Sequence, residues 1–226
     1  MHVAKMNVQG TSLVGLYIVA LDNIVFVSPE VGDEDKKLLG SIFQAEVVEL
    51  TIAGTGLIGA FMATNGEKFI VPHILFDHEK AILDALNVPY EIIHTKQTCL
   101  GNNVLASKKG VLVSSVFSEE EKDAIAQAFD LPCQRVDLND EATTIGSYVV
   151  SNDKYGVASY EFSDEQLEMI ESFLGIALQT GTVNLGTTQI RSGLVTNNNG
   201  FIIGQASGGP EIVHADSALG FLGDDN

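Results

Sequence analysis

Tryptophan is absent, cysteine occurs only as Cys99 and Cys133, and arginine only as Arg135 and Arg191. Two cysteines make no disulfide framework and form no Cys-x-x-Cys pair, which fits a reducing compartment and leaves no Cys-based metal set at usual spacing. No apolar run reaches the roughly 18 residues of a membrane span, and residues 1–10 lack the basic flank and apolar stretch of a signal peptide. The expectation is a soluble, cytoplasmic protein without membrane contact. Positive charge is the most telling shortage, with 12 Lys and Arg against 30 Asp and Glu, a formal net charge of −18. One folded body of this size exposes roughly 10,000 Å², about one uncompensated negative charge per 550 Å². Such a surface repels phosphate backbones and anionic membranes within about a Debye length. The few scattered cations disfavour nucleic-acid binding of the counterion-release kind. Solubility, a salty cytoplasm and a basic protein partner are all compatible with it.

The motifs of common catalysis are missing too. Gly-x-Ser-x-Gly, Walker-type and His-Glu-x-x-His strings do not occur, and Gly208–Glu211 is too short for a phosphate loop. His73, Asp77 and His78 fit a strand end and a helix start better than a metal site, and no cofactor is expected.

What is present is a repeat. Polar turns followed by short apolar runs end at Ser28, Pro72, Ser114, Ser159 and Gly204, in steps of 44, 42, 45 and 45 residues. Upstream of each, strands beginning at Val14, Ile58, Leu100, Ile145 and Ile190 complete β-hairpins. Downstream, apolar residues recur with helical spacing, and Leu39, Ile82, Ile125 and Ile170 are expected to match one another on buried stripes. Ser118 with Glu121 and Ser163 with Gln166 have capping-box spacing, and acids crowd the first helical turns, where the helix dipole favours them. A short strand closes each unit. The fifth unit has only a weak helix around His214, Ala215, Ala218 and Leu219 and lacks that strand. Residues 3–8 alternate suitably to supply it, so that the ring closes without free sheet edges. Periods in this range mark stacked or radial units. The expected architecture is α+β, five ββαβ units around a pseudo-fivefold axis in one domain, 1–226. The units are approximately 13–55, 56–99, 100–143, 144–187, and 188–221 plus 1–12.

Equivalent turns of such a ring share one rim. Gly15, Gly59, Gly101 and Gly146 occupy one place, which Arg191 takes in the fifth unit. Glycine there permits close backbone approach, and the rim offers little side-chain bulk to a docking surface. Asn102 and Asn103 add amide donors and acceptors in the third unit alone. A catalytic alternative exists. Guanidino-processing penteins place a Cys nucleophile, a His and acidic residues in the channel of a similar ring. Their nucleophile lies in the last unit, where this chain has no Cys, and Cys99 and Cys133 have no His nearby in sequence.

The phrases Thr51–Phe61, Thr98–Val113, Ile145–Asn152 and Gly181–Gly200 resemble the translation initiation factor 6 family in its short archaeal form, in register with all five units. No extension like that of the eukaryotic members follows; residues 221–226 form a brief acidic tail. The resemblance implies the pentein fold and a non-enzymatic role. It implies binding to the intersubunit face of the large (50S) ribosomal subunit, steric blocking of small-subunit joining, and a part in large-subunit biogenesis. The implied contact is chiefly a basic ribosomal protein near the sarcin–ricin loop, with limited rRNA contact, by a monomer. Family-sensitive positions carry over to Gly15 and to Gly101 with Asn102; Ala60 stands where eukaryotic members have a basic residue, and Lys154–Tyr160 departs from the family phrase. The ribosome-binding candidates are therefore Gly15, Gly59, Gly101, Asn102, Asn103 and Gly146. The alternatives are a guanidino-modifying pentein enzyme or another protein-binding scaffold.

Overall fold

The computed structural model describes residues 1–137 and 144–222. The expected boundary between the third and fourth units at residue 143, and most of the acidic tail, lie outside them. Five three-stranded sheets follow one plan. In the first unit, strands Ile18–Ala20 and Ile24–Val27 pair antiparallel, and Glu46–Glu49 returns parallel to the second of them after the helix Asp33–Phe43. The other long helices are Asp77–Asp84, Glu119–Phe129, Asp164–Leu174 and Gly209–Ala218. The fifth sheet takes its third strand from the N-terminus: Val3–Met6 runs parallel to Phe201–Gly204, with Val3 opposite Phe201. His2 seals that joint, 2.9 Å from Asp216 and stacked on Phe221. The accessible surface is 9940 Å².

Two expectations change. Each unit was expected to open as a strand at Val14 or its equivalents, but opens instead with a helical turn: Val14–Leu16, Ile58–Phe61, Leu100–Asn103, Ile145–Tyr148 and Ile190–Gly193. The turn sends Val14, Ile58, Leu100, Ile145 and Ile190 into the cores and aims the next residue at the axis. An extended strand would put such neighbours on opposite sheet faces. The second helix is also shifted in phase. Ile82 is 36% exposed, whereas Leu83 is buried. The cap sets the phase: Leu39, Leu83, Ile125, Ile170 and Ala215 all lie seven residues past the caps Gly32, Phe76, Ser118, Ser163 and Gly208. Both expected capping boxes form, with Glu121 N 3.2 Å from Ser118 Oγ and Gln166 N 3.3 Å from Ser163 Oγ.

The cores lie between units. One joins Val195 and Ile202 of the fifth unit to Val25, Leu39, Ile42 and Phe43 of the first. Another joins Val19 and Phe26 of the first to Ile58, Phe69 and Leu83 of the second. The remaining three cores pair successive units likewise.

Candidate functional site

At the axis the five helical turns lean on one another. A Cβ on Gly15 would fall 1.7 Å from the Arg191 carbonyl oxygen, one on Gly59 1.8 Å from that of Gly15, one on Gly101 2.1 Å from that of Gly59, and one on Gly146 2.3 Å from that of Gly101. No side-chain carbon fits at those contacts. All four glycines are buried and form a packing seam at the axis, and Gly15 and Gly59 also border an axial cavity. Of the five equivalent positions Arg191 alone is not glycine, and its Nη2 donates to the Met62 carbonyl at 2.9 Å.

Hydrogen bonds define two faces. On one, helix starts meet the lead-in loops. The Glu79 carboxylate accepts from the N–H groups of Phe76, Ala53 and Gly54 and from the Thr51 hydroxyl, at 2.6–2.9 Å. Glu211 repeats the arrangement with Gly208, Leu185, Gly186 and Thr182. Burial works against both charges, but the converging donors outweigh it and hold both carboxyls below the usual range. Glu121 is lowered by Thr95 and by the backbone of Ser118. One residue thus completes the helix cap and fixes the loop that leads into its own unit. Ala53 and Leu185 keep positive φ, 54° and 62°, under this grip.

The opposite face carries the hairpin turns. Lys108 Nζ lies 3.1 Å from Asp22, 3.2 Å from Glu67 and 2.6 Å from Asp153, and Asn198 joins Asp22 to the Asp153 N–H. All five units meet in this clasp. Burial alone would lower the Lys108 ammonium, yet the carboxylates of Asp153, Asp22 and Glu67 hold it well above its ordinary value.

Acids gather at the helix starts, some of them paired there: Asp33 with Lys36, and Glu119 with Lys122 and Arg135. Every long helix begins with acids on the lead-in face: Asp33, Glu34 and Asp35; Asp77 and Glu79; Glu119, Glu120 and Glu121; Asp164 and Glu165; Glu211. Glu30 and Glu161 are exposed beside them. The same face exposes Leu13, Leu57 and Leu185 in the lead-in loops and Phe76, Val116 and Tyr160 at the helix starts.

Of the residues singled out from sequence, Asn102 is partly exposed, in the wall of an axial cavity on this face. Asn103 is buried and donates from Nδ2 to the Cys99 carbonyl, so it presents no amide to a partner. Glu79, Glu211, Lys108 and Asn198 escaped sequence reading. The glutamates at the third helical position were the available signal, masked where the cap is Phe76 or Gly208 instead of serine. Cys133 is half-buried, and burial pushes its thiol up to about 11, away from a thiolate nucleophile. Among the described residues no group of three or more His, Cys, Asp or Glu is placed to hold a metal ion, and no helix is long and apolar enough to cross a membrane.

A family model described as the eIF-6 family matches residues 3–218. Translation initiation factor 6 of Thermococcus gammatolerans is 36% identical over 229 residues, covering 99% of this chain and 100% of that protein. The Pyrococcus furiosus factor of the same name is 29% identical over 141 residues, 60% of this chain and 62% of the relative. Among solved structures, a dimethylarginine dimethylaminohydrolase has a TM-score of 0.51 at 13% identity, over 78% of this chain and 69% of that one. The N-terminal domain of ArgZ has a TM-score of 0.51 at 12% identity, over 84% and 72%. These structural likenesses are of fold alone, the five-unit pentein ring. The sequence match spans every unit of that ring, and the chain belongs to the eIF-6 family.

Proposed function

We propose that the protein docks on the large ribosomal subunit through its lead-in face and blocks joining of the small subunit by occupying the shared surface. The observation that carries this reading is the collection of helix-start acids on one face, around exposed Leu13, Leu57 and Leu185. An apolar centre with a charged rim suits a protein interface, and its sign selects a basic partner. A basic ribosomal protein near the sarcin–ricin loop fits better than bare rRNA, whose phosphates the same acids repel. The protein acts as a cytoplasmic monomer, and the same occupancy suits a role in large-subunit biogenesis. No bond is made or broken, in keeping with the raised Cys133 thiol.

The test is co-sedimentation with isolated 50S subunits and sucrose-gradient profiles of 70S formation. Binding weakens with added salt, and saturating protein shifts 70S towards free subunits. Glu34→Lys with Asp35→Lys, and Asn102→Asp at the axis, weaken binding, whereas Lys154→Glu on the hairpin face leaves it unchanged. Equal 70S formation with and without the protein rejects the reading; a loss confined to Lys154→Glu assigns docking to the other face.

A further inference from the structure

Four units place glycine at the axis, and the fifth places Arg191. Arginine has five N–H donors and a permanent charge. Here the guanidinium makes one hydrogen bond, from Nη2 to the Met62 carbonyl. Its Nε is sealed from solvent and has no partner among the described residues. No carboxylate pairs with it among the described residues. Burial alone pulls its pKa down to about 10, which leaves it charged at neutral pH. Arg191 as a whole is half-buried, so a desolvated Nε beside a single carbonyl acceptor leaves the partly exposed end of the guanidinium to find its other partners outside the described protein groups.

Arg191 lines an axial cavity of about 240 Å³ on the lead-in face. The other polar walls are Asn102, Thr144, Ser147, Gln189 and Ser192, with no acid among the described lining residues. Ser192 Oγ donates to the Gln189 carbonyl. The remaining four side chains hold no hydrogen bond to another described residue. Asp22 and Asp153 line a second cavity, which Gly15 and Arg191 also border, and both carboxylates are held by Lys108.

We infer that this cavity is a binding site for a small oxyanion of the phosphate class, held by the free donors of Arg191 and the amides and hydroxyls around it. The Arg191 guanidinium supplies the charge, and its Nη groups, beyond the one bond to the Met62 carbonyl, supply charge-assisted donors. The neutral donors accommodate the remaining oxygens. The Arg191 charge repels a cation, and the described lining residues offer it no anionic group. The inference does not depend on ribosome docking, and its test uses the free protein.

Isothermal titration of the full chain with sodium phosphate at pH 7, against sodium chloride at matched ionic strength, measures it. The expected result is saturable 1:1 binding of phosphate, weakened at least tenfold in Arg191→Gln. Ser192→Asp, which adds a carboxylate to the wall at a partly exposed position, also loses at least tenfold and carries the comparison if Arg191→Gln does not fold. Absence of saturable binding, chloride heats equal to those of phosphate, or undiminished affinity in a folded variant overturns the assignment.

Discussion

Asn197 donates from Nδ2 to the Phe43 carbonyl at 2.9 Å, joining residues 154 positions apart. Phe43 ends the first unit's helix, where carbonyls lack intrahelical partners. The preceding unit in the ring supplies the donor. Ser107 does the same for Leu174 and Asn152 for Leu219, each from one unit's hairpin to the helix end of the next. The contact between the fifth and first units is thus built like those within the chain.

Asn197→Ala tests that joint. Its Nδ2 also serves the Leu21 carbonyl at 3.1 Å, and the residue is buried. Phe43 O keeps a donor in Asn199 Nδ2, so the loss falls on the Leu21 carbonyl and on the Asn199 and Gly200 N–H groups that Asn197 Oδ1 accepts from, about 1–3 kcal/mol. Urea unfolding gives the value, and a loss under about 1 kcal/mol contradicts this role.

The axial seam separates two glycine substitutions. Gly59→Ala drives a carbon against the Gly15 carbonyl, and overpacking of this kind costs at least about 2–3 kcal/mol. Gly209→Ala meets nothing within 4 Å at a helix start and stabilises by about 0.4–1 kcal/mol. Thermal midpoints moving together for the two variants defeat the packing account.

Glu79 has a folded-state pKa below its unfolded value. Its contribution is therefore present above the unfolded carboxyl pKa, about 4, and is lost as pH falls through the lowered folded value. Glu79→Gln costs about 1–3 kcal/mol at pH 7 and flattens the acid limb of stability against pH. Parallel acid limbs for wild type and variant count against it.

Lys108 works in the opposite sense. Its raised pKa gives stability that is complete below the unfolded lysine value and lost as pH rises through the folded one. Lys108→Met leaves Asp22, Glu67 and Asp153 facing one another. The variant is less stable than wild type at pH 7, and the deficit narrows as pH rises through the raised folded-state value of Lys108. A deficit independent of pH assigns the loss to packing instead.

Cores shared between consecutive units predict unfolding as one domain. Calorimetry should give one transition whose calorimetric and van't Hoff enthalpies agree. Two resolved transitions argue for separately folding halves.

Several features were legible because they recur along the chain. The apolar strands ending at Ser28, Ser114 and Ser159, the serine-led capping boxes, and the N-terminal strand as the missing fifth member all lie where local pattern puts them. Ile82 misled because its apolar neighbour Leu83 fits the same stripe, and only the cap at Phe76 decides between them. The glycines were legible as equivalent positions but not as a buried seam, since burial depends on the neighbouring unit's carbonyl. Asn102 and Asn103 look alike in sequence, yet one lines a cavity and the other folds back on Cys99.

The order of residues by itself determined the number of units, their hairpins and helices, the ring closure and the excess of acid, because periodicity and capping are local physics. Tertiary structure alone decided that helix-start acids share a face with the lead-in loops and that Lys108 gathers three distant carboxylates. It also placed the Arg191 guanidinium in the wall of an axial cavity with no carboxylate partner among the described residues. Those relations join groups dozens of residues apart, and Coulomb attraction and desolvation act on distance in space, which a linear pattern does not contain.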